Sequence, residues 1–173
     1  MISSMDTHTF EVTTRDLAGL PDSRGESIRS MLLSDHGLTV GSVRVILGYQ
    51  VKAPITGDEA DELVYELFAD PIIERGSSGE SLLASFPTAP EAAIRIGYKP
   101  GVTDNPGQAA TDGFSTILPH HQGARIATYR TYAFWGVPEG TDPEGLASIL
   151  HNPMIERASV AGPADCSAGS WPE

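Results

Sequence analysis

The chain has 173 residues, 40% hydrophobic and 20% charged, which is typical of a folded globular protein rather than a disordered one. Its formal net charge of −12 argues against nucleic acid and anionic membrane surfaces as partners, because an acidic surface repels phosphates. No apolar run approaches the roughly 20 residues of a membrane span, the first residues have no secretory-signal pattern, and the single cysteine, Cys166, excludes an intrachain disulfide. We therefore expect a cytoplasmic protein.

The first half of the chain predicts the order β-α-β-α-β. A strand is expected at residues 10–14, followed by a helix that begins in the capping box Ser23-x-x-Glu26. Residues 43–51 alternate between apolar and other side chains, which predicts a long strand. A second helix begins near Asp58, and a short strand through Ile73 ends the series.

The second half predicts the same order. A strand at residues 93–97 precedes a helix that begins at Asn105, with Pro106 at its first helical position. Residues 126–135 form a long extended run, and a further helix begins in the box Thr141-x-x-Glu144 before a last strand through Ile155. Alternation along the extended run places Tyr129 and Trp135 on one face of the sheet, with Tyr132 and Phe134 on the other.

Two distant landmarks repeat at one offset. The segment Asp22-Ser-Arg-Gly25 resembles Asp104-Asn-Pro-Gly107, and Pro71-Ile-Ile73-Glu74 resembles Pro153-Met-Ile155-Glu156, both at an offset of 82 residues. This pattern predicts a tandem duplication, with units at residues 8–77 and 92–160, a linker at 78–91 and a flexible tail at 161–173. The predicted fold class is α+β: two units, each with an antiparallel sheet covered by helices on one face, packed as a pseudo-twofold pair.

The sequence contains no recognisable catalytic motif. Phosphate-binding loops of the Gly-x-x-x-x-Gly-Lys-Ser/Thr and Gly-x-Gly-x-x-Gly types are absent. Cys166 lies in the predicted tail and is interpreted as an incidental free thiol. His120 and His121 form the only histidine cluster, but neighbouring residues point apart in regular structure. A solvated pair at a helix end or in a loop is therefore expected, with metal ligation as the less favoured alternative.

A glycine near each predicted helix start is the best candidate for a site, because glycine is a poor helix former and allows another backbone or a ligand to approach. Three interpretations stay open: a docking loop for a protein partner, an anion site at the helix N-terminus, and a tight contact between helix and sheet. The candidate residues are Asp22, Arg24, Gly25, Lys99, Gly101, Asp104 and Gly107.

The segment Tyr98-Lys99-Pro100-Gly101-Val102-Thr103-Asp104-x-Pro106-Gly107 resembles the signature loop of PurS, the small subunit of phosphoribosylformylglycinamidine (FGAM) synthase, and the matching N-terminal segment of longer forms of that enzyme. The resemblance continues at residues 125–129 and 150–156 and, in the first half, at residues 20–25 and 67–74. The first half departs from it where Arg15-Asp16-Leu17 replaces the Tyr-Lys-Pro stretch. Its loop is therefore expected to have lost the role of Lys99, or to share it with the second.

The resemblance implies a non-catalytic accessory subunit or domain in purine biosynthesis. Its partners would be the synthetase and glutaminase parts of FGAM synthase, which use ATP, Mg and glutamine, while this chain would bind no cofactor itself. Whether it is a whole subunit or an N-terminal segment, and whether it forms a homo-oligomer, stays open. The alternative is a stand-alone regulatory module that binds a small molecule between duplicated units; an unrecognised small enzyme is a third hypothesis.

Overall fold

The computed structural model describes residues 6–172, which form an α+β fold with one six-stranded antiparallel sheet and five α-helices. The strands are β1 Thr7–Thr14, β2 Ser42–Lys52, β3 Glu74–Ser78, β4 Ala92–Tyr98, β5 Arg125–Trp135 and β6 Glu156–Ala161. The helices are α1 Ser23–His36, α2 Gly57–Leu63, which continues into a π-helical turn at Val64–Phe68, α3 Asn105–Ile117, α4 Pro143–Leu150 and α5 Pro163–Ala168. Across residues 6–172, no helix has the length and apolar character to cross a membrane.

The sheet has the strand order β3-β1-β2-β5-β4-β6. The strands of the first half, β1 to β3, therefore lie together on one side, and those of the second half, β4 to β6, lie on the other. Strands β2 and β5 join the halves and pair in register from Ser42 opposite Trp135 to Lys52 opposite Arg125. The two long predicted strands are thus continuous, and their pairing makes one sheet of two halves.

The two larger core clusters both contain residues from both halves. Phe10 from β1 and Phe114 from α3 belong to one cluster, and Leu32 from α1 and Ile94 from β4 belong to the other. All four side chains are fully buried. Neither half therefore has a separate core of its own, and the apolar surface of each half is covered partly by the other.

The predicted alternation along β5 is confirmed. Tyr132 and Phe134 are buried in the cluster that contains α1 and α4 residues. Trp135 packs instead in a third cluster on the opposite face of the sheet. Tyr129 also lies on that second face, where it contacts Glu11.

The helices of the two predicted units, α1 to α4, cover one face of the sheet, as predicted. The prediction of a loose tail was wrong, because the predicted linker and tail both pack on the other face. The segment 78–91 contains a 3₁₀ turn, Leu82–Ser85, whose Leu83 is 1% exposed, and the tail forms α5, whose Cys166 is fully buried. Both segments pack on Ile46 and Ala133 of the second face. The few apolar side chains of these segments, Leu82, Leu83, Phe86 and Trp171 among them, supply the surface that packs on the sheet.

Burial also decides the chemistry of the one thiol. Burial raises the pKa of the Cys166 thiol to about 11, with a contribution from the neighbouring Asp165 carboxylate. Because the thiolate is the nucleophilic form, a buried thiol with a raised pKa is a poor nucleophile.

Aspartates cap three of the helices, in place of the predicted residues. Asp22 caps α1 where Ser23 was predicted, and Asp104 caps α3 where Asn105 was predicted. Asp142 caps α4 one residue after the predicted Thr141. Each prediction was wrong by one residue because two neighbouring residues could both cap. At Asp22 and Asp104 a further hydrogen bond from the sheet favours the aspartate. The last strand of each half likewise begins after Ile73 or Ile155, not through it.

We expect Leu83→Ala to lower the free energy of unfolding by about 2–5 kcal/mol, because it removes a buried side chain and leaves a cavity. Urea unfolding monitored by circular dichroism measures this loss. The matched control is Leu33→Ala on α1, whose side chain is 49% exposed and whose loss should cost about 0.5 kcal/mol or less. Equal effects of the two substitutions would show that segment 78–91 is not part of the core.

Candidate functional site

The predicted candidate residues lie at two separate helix starts. In the first half, the Asp22 carboxylate accepts hydrogen bonds from the backbone N–H of Gly25, at 3.2 Å, and of Val45 on β2, at 2.8 Å. One buried side chain therefore both caps α1 and attaches it to the sheet. Arg24 points elsewhere and forms an exposed ion pair with Glu74 at 3.6 Å.

The second half repeats this arrangement. The Asp104 carboxylate accepts from the backbone N–H of Gly107 at 2.7 Å and of Thr128 on β5 at 2.6 Å. It also accepts from the Thr128 hydroxyl at 2.8 Å. Both aspartates are therefore occupied by their own chain, which gives them a structural role.

The two helix-start glycines face the sheet. A Cβ atom on Gly25 would lie 1.9 Å from the carbonyl oxygen of Val43, and one on Gly107 would lie 2.5 Å from that of Ile126. Both glycines are buried. Of the three interpretations, this geometry favours the tight contact between helix and sheet, because no partner can reach a glycine that faces the sheet.

The loops before the two helices also share a contact. Lys99 Nζ donates to the carbonyl oxygen of Pro153, and Arg15 Nε donates to that of Pro71 at 3.1 Å. Arg15 therefore makes in the first half the contact that Lys99 makes in the second. The expectation that the first loop has lost or divided the role of Lys99 was wrong for this contact, because a guanidinium replaces the ammonium in it.

The turns that these two cations contact expose apolar side chains. Ile72 is 76% exposed and Ile73 43%, while Met154 is 81% exposed and Ile155 40%. The turns are held alike, since the backbone N–H of Ile72 donates to the Asp70 side chain at 2.9 Å, as that of Met154 does to the Asn152 side chain at 3.0 Å. We call these two segments, residues 70–73 and 152–155, the apolar turns.

Three of the predicted residues, Lys99, Gly101 and Asp104, line one cleft of about 460 Å³. Arg95 and Arg157 line it as well. The cleft thus gathers three cationic side chains on a chain of net charge −12. Its one lining carboxylate, Asp104, is already bonded to Gly107 and Thr128, so the cleft presents mainly hydrogen-bond donors.

Arg95 lies at the centre of this second face. Its guanidinium carbon is 4.3 Å from the ring centroid of Tyr129 and 4.4 Å from that of Trp171, distances typical of cation–π contacts. One terminal nitrogen lies 3.4 Å from the buried Glu11 carboxylate. Its Nε is buried and has no hydrogen-bond partner within residues 6–172, so the site has an unused donor.

Tyr129 links the cleft to the first half through Glu11, a partner that no sequence motif indicated. Tyr129 lies opposite both Gly48 on β2 and Gly97 on β4, and a Cβ on Gly48 would lie 2.1 Å from the tyrosine ring. The ring therefore lies across β2, and its hydroxyl donates to Glu11 on β1 at 2.7 Å. Burial and the Glu11 carboxylate raise the pKa of Tyr129, which keeps it a donor. Gly48 and Gly97 lie within strands, although glycine is unfavourable there. This was the sign in the sequence that another group packs closely against the sheet at these positions.

The histidine pair lies at a helix end, as predicted, but its side chains converge. His120 and His121 lie in a turn after α3, not in regular structure, and the backbone N–H of His121 donates to the Leu118 carbonyl at 3.1 Å. Their rings lie side by side, with centroids 4.2 Å apart. Both Nε2 atoms contact Glu59 of α2, each at 2.9 Å from a carboxylate oxygen. The prediction that the two side chains point apart was therefore wrong.

Comparison of the sequence with protein-family models finds no match, and comparison with curated proteins finds none either.

We expect Gly25→Ala to lower the free energy of unfolding by about 1–3 kcal/mol, because the new methyl group overlaps the Val43 carbonyl. Gly57→Ala is the matched control: Gly57 also lies in the first turn of a helix, and a Cβ there meets nothing within 4 Å. It should be neutral or stabilise by about 0.4–1 kcal/mol. Denaturant unfolding measures the free energy of unfolding of both variants. A Gly25→Ala variant as stable as the wild type would rule out the tight contact between helix and sheet.

Proposed function

We propose that the protein is a tandem duplication of a PurS-like unit, with copies at residues 8–77 and 92–160, that serves as a non-catalytic accessory subunit or domain of FGAM synthase. In this proposal the two copies are related by a pseudo-twofold axis between β2 and β5. The strand order supports it, since the first, second and third strands of each half occupy matching positions on either side of that boundary.

The observation that carries the proposal is the matched set of hydrogen bonds in the two halves. The caps at Asp22 and Asp104 repeat, and so do the contacts of Arg15 and Lys99 with a proline carbonyl. The two caps lie at the offset of 82 residues, which is hard to explain without a common unit. Arg15 makes the contact of Lys99 from a position two residues before the counterpart of Lys99 in that alignment. These contacts connect the quoted PurS-like loop to its counterpart in the first half.

The apolar turns are the proposed docking surface. Ile72 and Met154 are the most exposed of the large apolar side chains in residues 6–172, and each lies on a turn fixed by its own hydrogen bonds. Exposed apolar groups on a rigid turn lose little conformational freedom on binding, so they suit a protein partner. The proposed partners are the synthetase and glutaminase parts of the enzyme.

The remaining features of the proposal follow from the resemblance. ATP, Mg and glutamine would bind to the partner subunits, where the amidine-forming reaction takes place in the cytoplasm. Covalent linkage of two units raises the effective concentration of each for the other. The tandem chain would then offer two related docking turns to a larger assembly.

The test is a light-scattering mass measurement of this chain mixed with the synthetase and glutaminase subunits of the same organism, in the presence of glutamine and Mg-ADP. We expect a discrete complex that does not form when this chain is omitted. Met154→Glu should abolish or strongly weaken the complex, because it places a charge in an apolar contact. The Met154→Glu chain alone should melt at the same temperature as the wild type, since the side chain is 81% exposed.

Leu33→Glu is the control, because Leu33 is exposed but lies on α1 outside the apolar turns. It should assemble like the wild type. A chain that stays alone although both partners are folded would contradict the accessory function. A complex that Met154→Glu leaves intact would contradict only the docking surface.

A second candidate function is a regulatory module that binds a small anion in the cleft. The observation that favours it is the unpartnered, buried Nε of Arg95 beside Lys99 and Arg157. A carboxylate or phosphate would accept from this donor and neutralise the cationic lining.

For this second function, we expect inorganic phosphate or succinate to raise the melting temperature of the wild type. Arg157→Gln should weaken the effect about tenfold in ligand concentration, because one charged hydrogen bond is lost. Lys52→Gln is the control, since Lys52 is an exposed cation outside the cleft. The anion site would be rejected if phosphate and succinate did not raise the melting temperature of the wild type. It would also be rejected if they stabilised Arg157→Gln and Lys52→Gln equally.

A further inference from the structure

The side chains of Glu59, His120 and His121 converge on one point between the two halves of the chain. Glu59 lies in the first turn of α2, and the histidines lie in the turn between α3 and β5. One ligand atom from each residue lies within 4.8 Å of the other two. Three residues from segments about 60 positions apart thus present a carboxylate and two imidazoles to the same small volume.

The spacing of these atoms is close to that of a metal site. The Nε2 atoms of His120 and His121 lie 2.9 Å from Glu59 oxygens. Two ligands about 2.0–2.1 Å from a tetrahedral zinc ion are roughly 3.3 Å apart. The two N–O distances would therefore need to lengthen by only a few tenths of an ångström, through side-chain rotation, to match those of a bound ion.

The ligands are held in place by the surrounding chain. One Glu59 oxygen accepts from the backbone N–H of Thr56 at 2.8 Å, while the Glu59 N–H donates to the Thr56 hydroxyl at 3.2 Å. This capping box fixes the carboxylate. His121 is 14% exposed and its ring packs near Phe114 at 6.4 Å between centroids. Such supporting contacts keep metal ligands oriented before the ion binds.

The types of ligand and their exposure indicate which cation fits. Two imidazoles and one carboxylate favour a divalent transition metal of the zinc type, whereas Mg²⁺ and Ca²⁺ prefer oxygen ligands alone. His120 is 61% exposed, so water can occupy the fourth position. The neighbouring acidic residues of α2, Asp58 and Asp61, add negative charge that favours a cation.

We propose that Glu59, His120 and His121 form a binding site for a zinc-type divalent cation, which ties α2 of the first half to the turn after α3 in the second. This inference does not depend on the proposed accessory function. The competing explanation is a metal-free arrangement in which both imidazoles donate to one carboxylate.

The test uses the full chain after EDTA treatment and dialysis. Isothermal titration calorimetry with ZnCl₂ should show one saturable site, and MgCl₂ under the same conditions should show none. Zinc should also raise the melting temperature, because it binds the folded chain and not the unfolded one. Binding of Co²⁺ should give the visible absorption of a four-coordinate ion.

His120→Ala and Glu59→Gln should each raise the zinc dissociation constant at least about tenfold. Both should melt like the wild type in EDTA, since His120 is largely exposed and a glutamine oxygen can still accept from Thr56. His36→Ala, which removes an exposed histidine of α1, is the control and should bind zinc normally. Absence of saturable zinc binding, or zinc binding unchanged in His120→Ala, would overturn the proposal and leave the metal-free arrangement.

Discussion

The pairing of β2 with β5 is the constraint on which the rest of the structure depends. These two 11-residue strands pair along their whole length, and they turn two three-stranded groups into one sheet. Because the strands are fixed in register, the apolar faces of the two halves form one surface, and both large cores draw side chains from both halves. A one-residue slip would turn every apolar side chain of a strand to the opposite face.

The two faces of the sheet carry different physical roles. The face below α1 to α4 is apolar, while the second face is divided between a small apolar cluster and a polar region around Glu11, Arg95 and Tyr129. The polar region crosses the β2–β5 boundary, since Tyr129 reaches Glu11 over Gly48. The buried Glu11 carboxylate and two aromatic rings enclose Arg95. This network helps to specify the relative position of the halves, because Tyr129 and Arg95 of the second half both contact the Glu11 carboxylate of the first.

The sequence contains enough information to predict the strands and most helices, since alternation and helical periodicity are local patterns. Val43 to Val51 and Tyr132 with Phe134 behave as their spacing predicts. Local patterns fail where a distant contact decides. Asp22, rather than Ser23, caps α1 because Val45 on β2 also donates to it. The convergence of His120 and His121 on Glu59 depends on a turn and on the packing of α2 beside α3. Neither feature produces a periodic pattern of residues in the sequence. Leu83 and Trp171 were the available signs that the linker and tail are packed.

The β2–β5 pairing also has a consequence for how the chain reaches its structure. The residues it joins are about 70 to 90 positions apart, and contacts of such long range close late and make folding slow. During synthesis, the first half emerges before β5 exists, so β2 is a long open edge at that stage. An unpaired apolar edge is a template for pairing with another chain. The same boundary that unites the finished protein is therefore the place where a nascent copy is most exposed to aggregation or strand exchange with its neighbours.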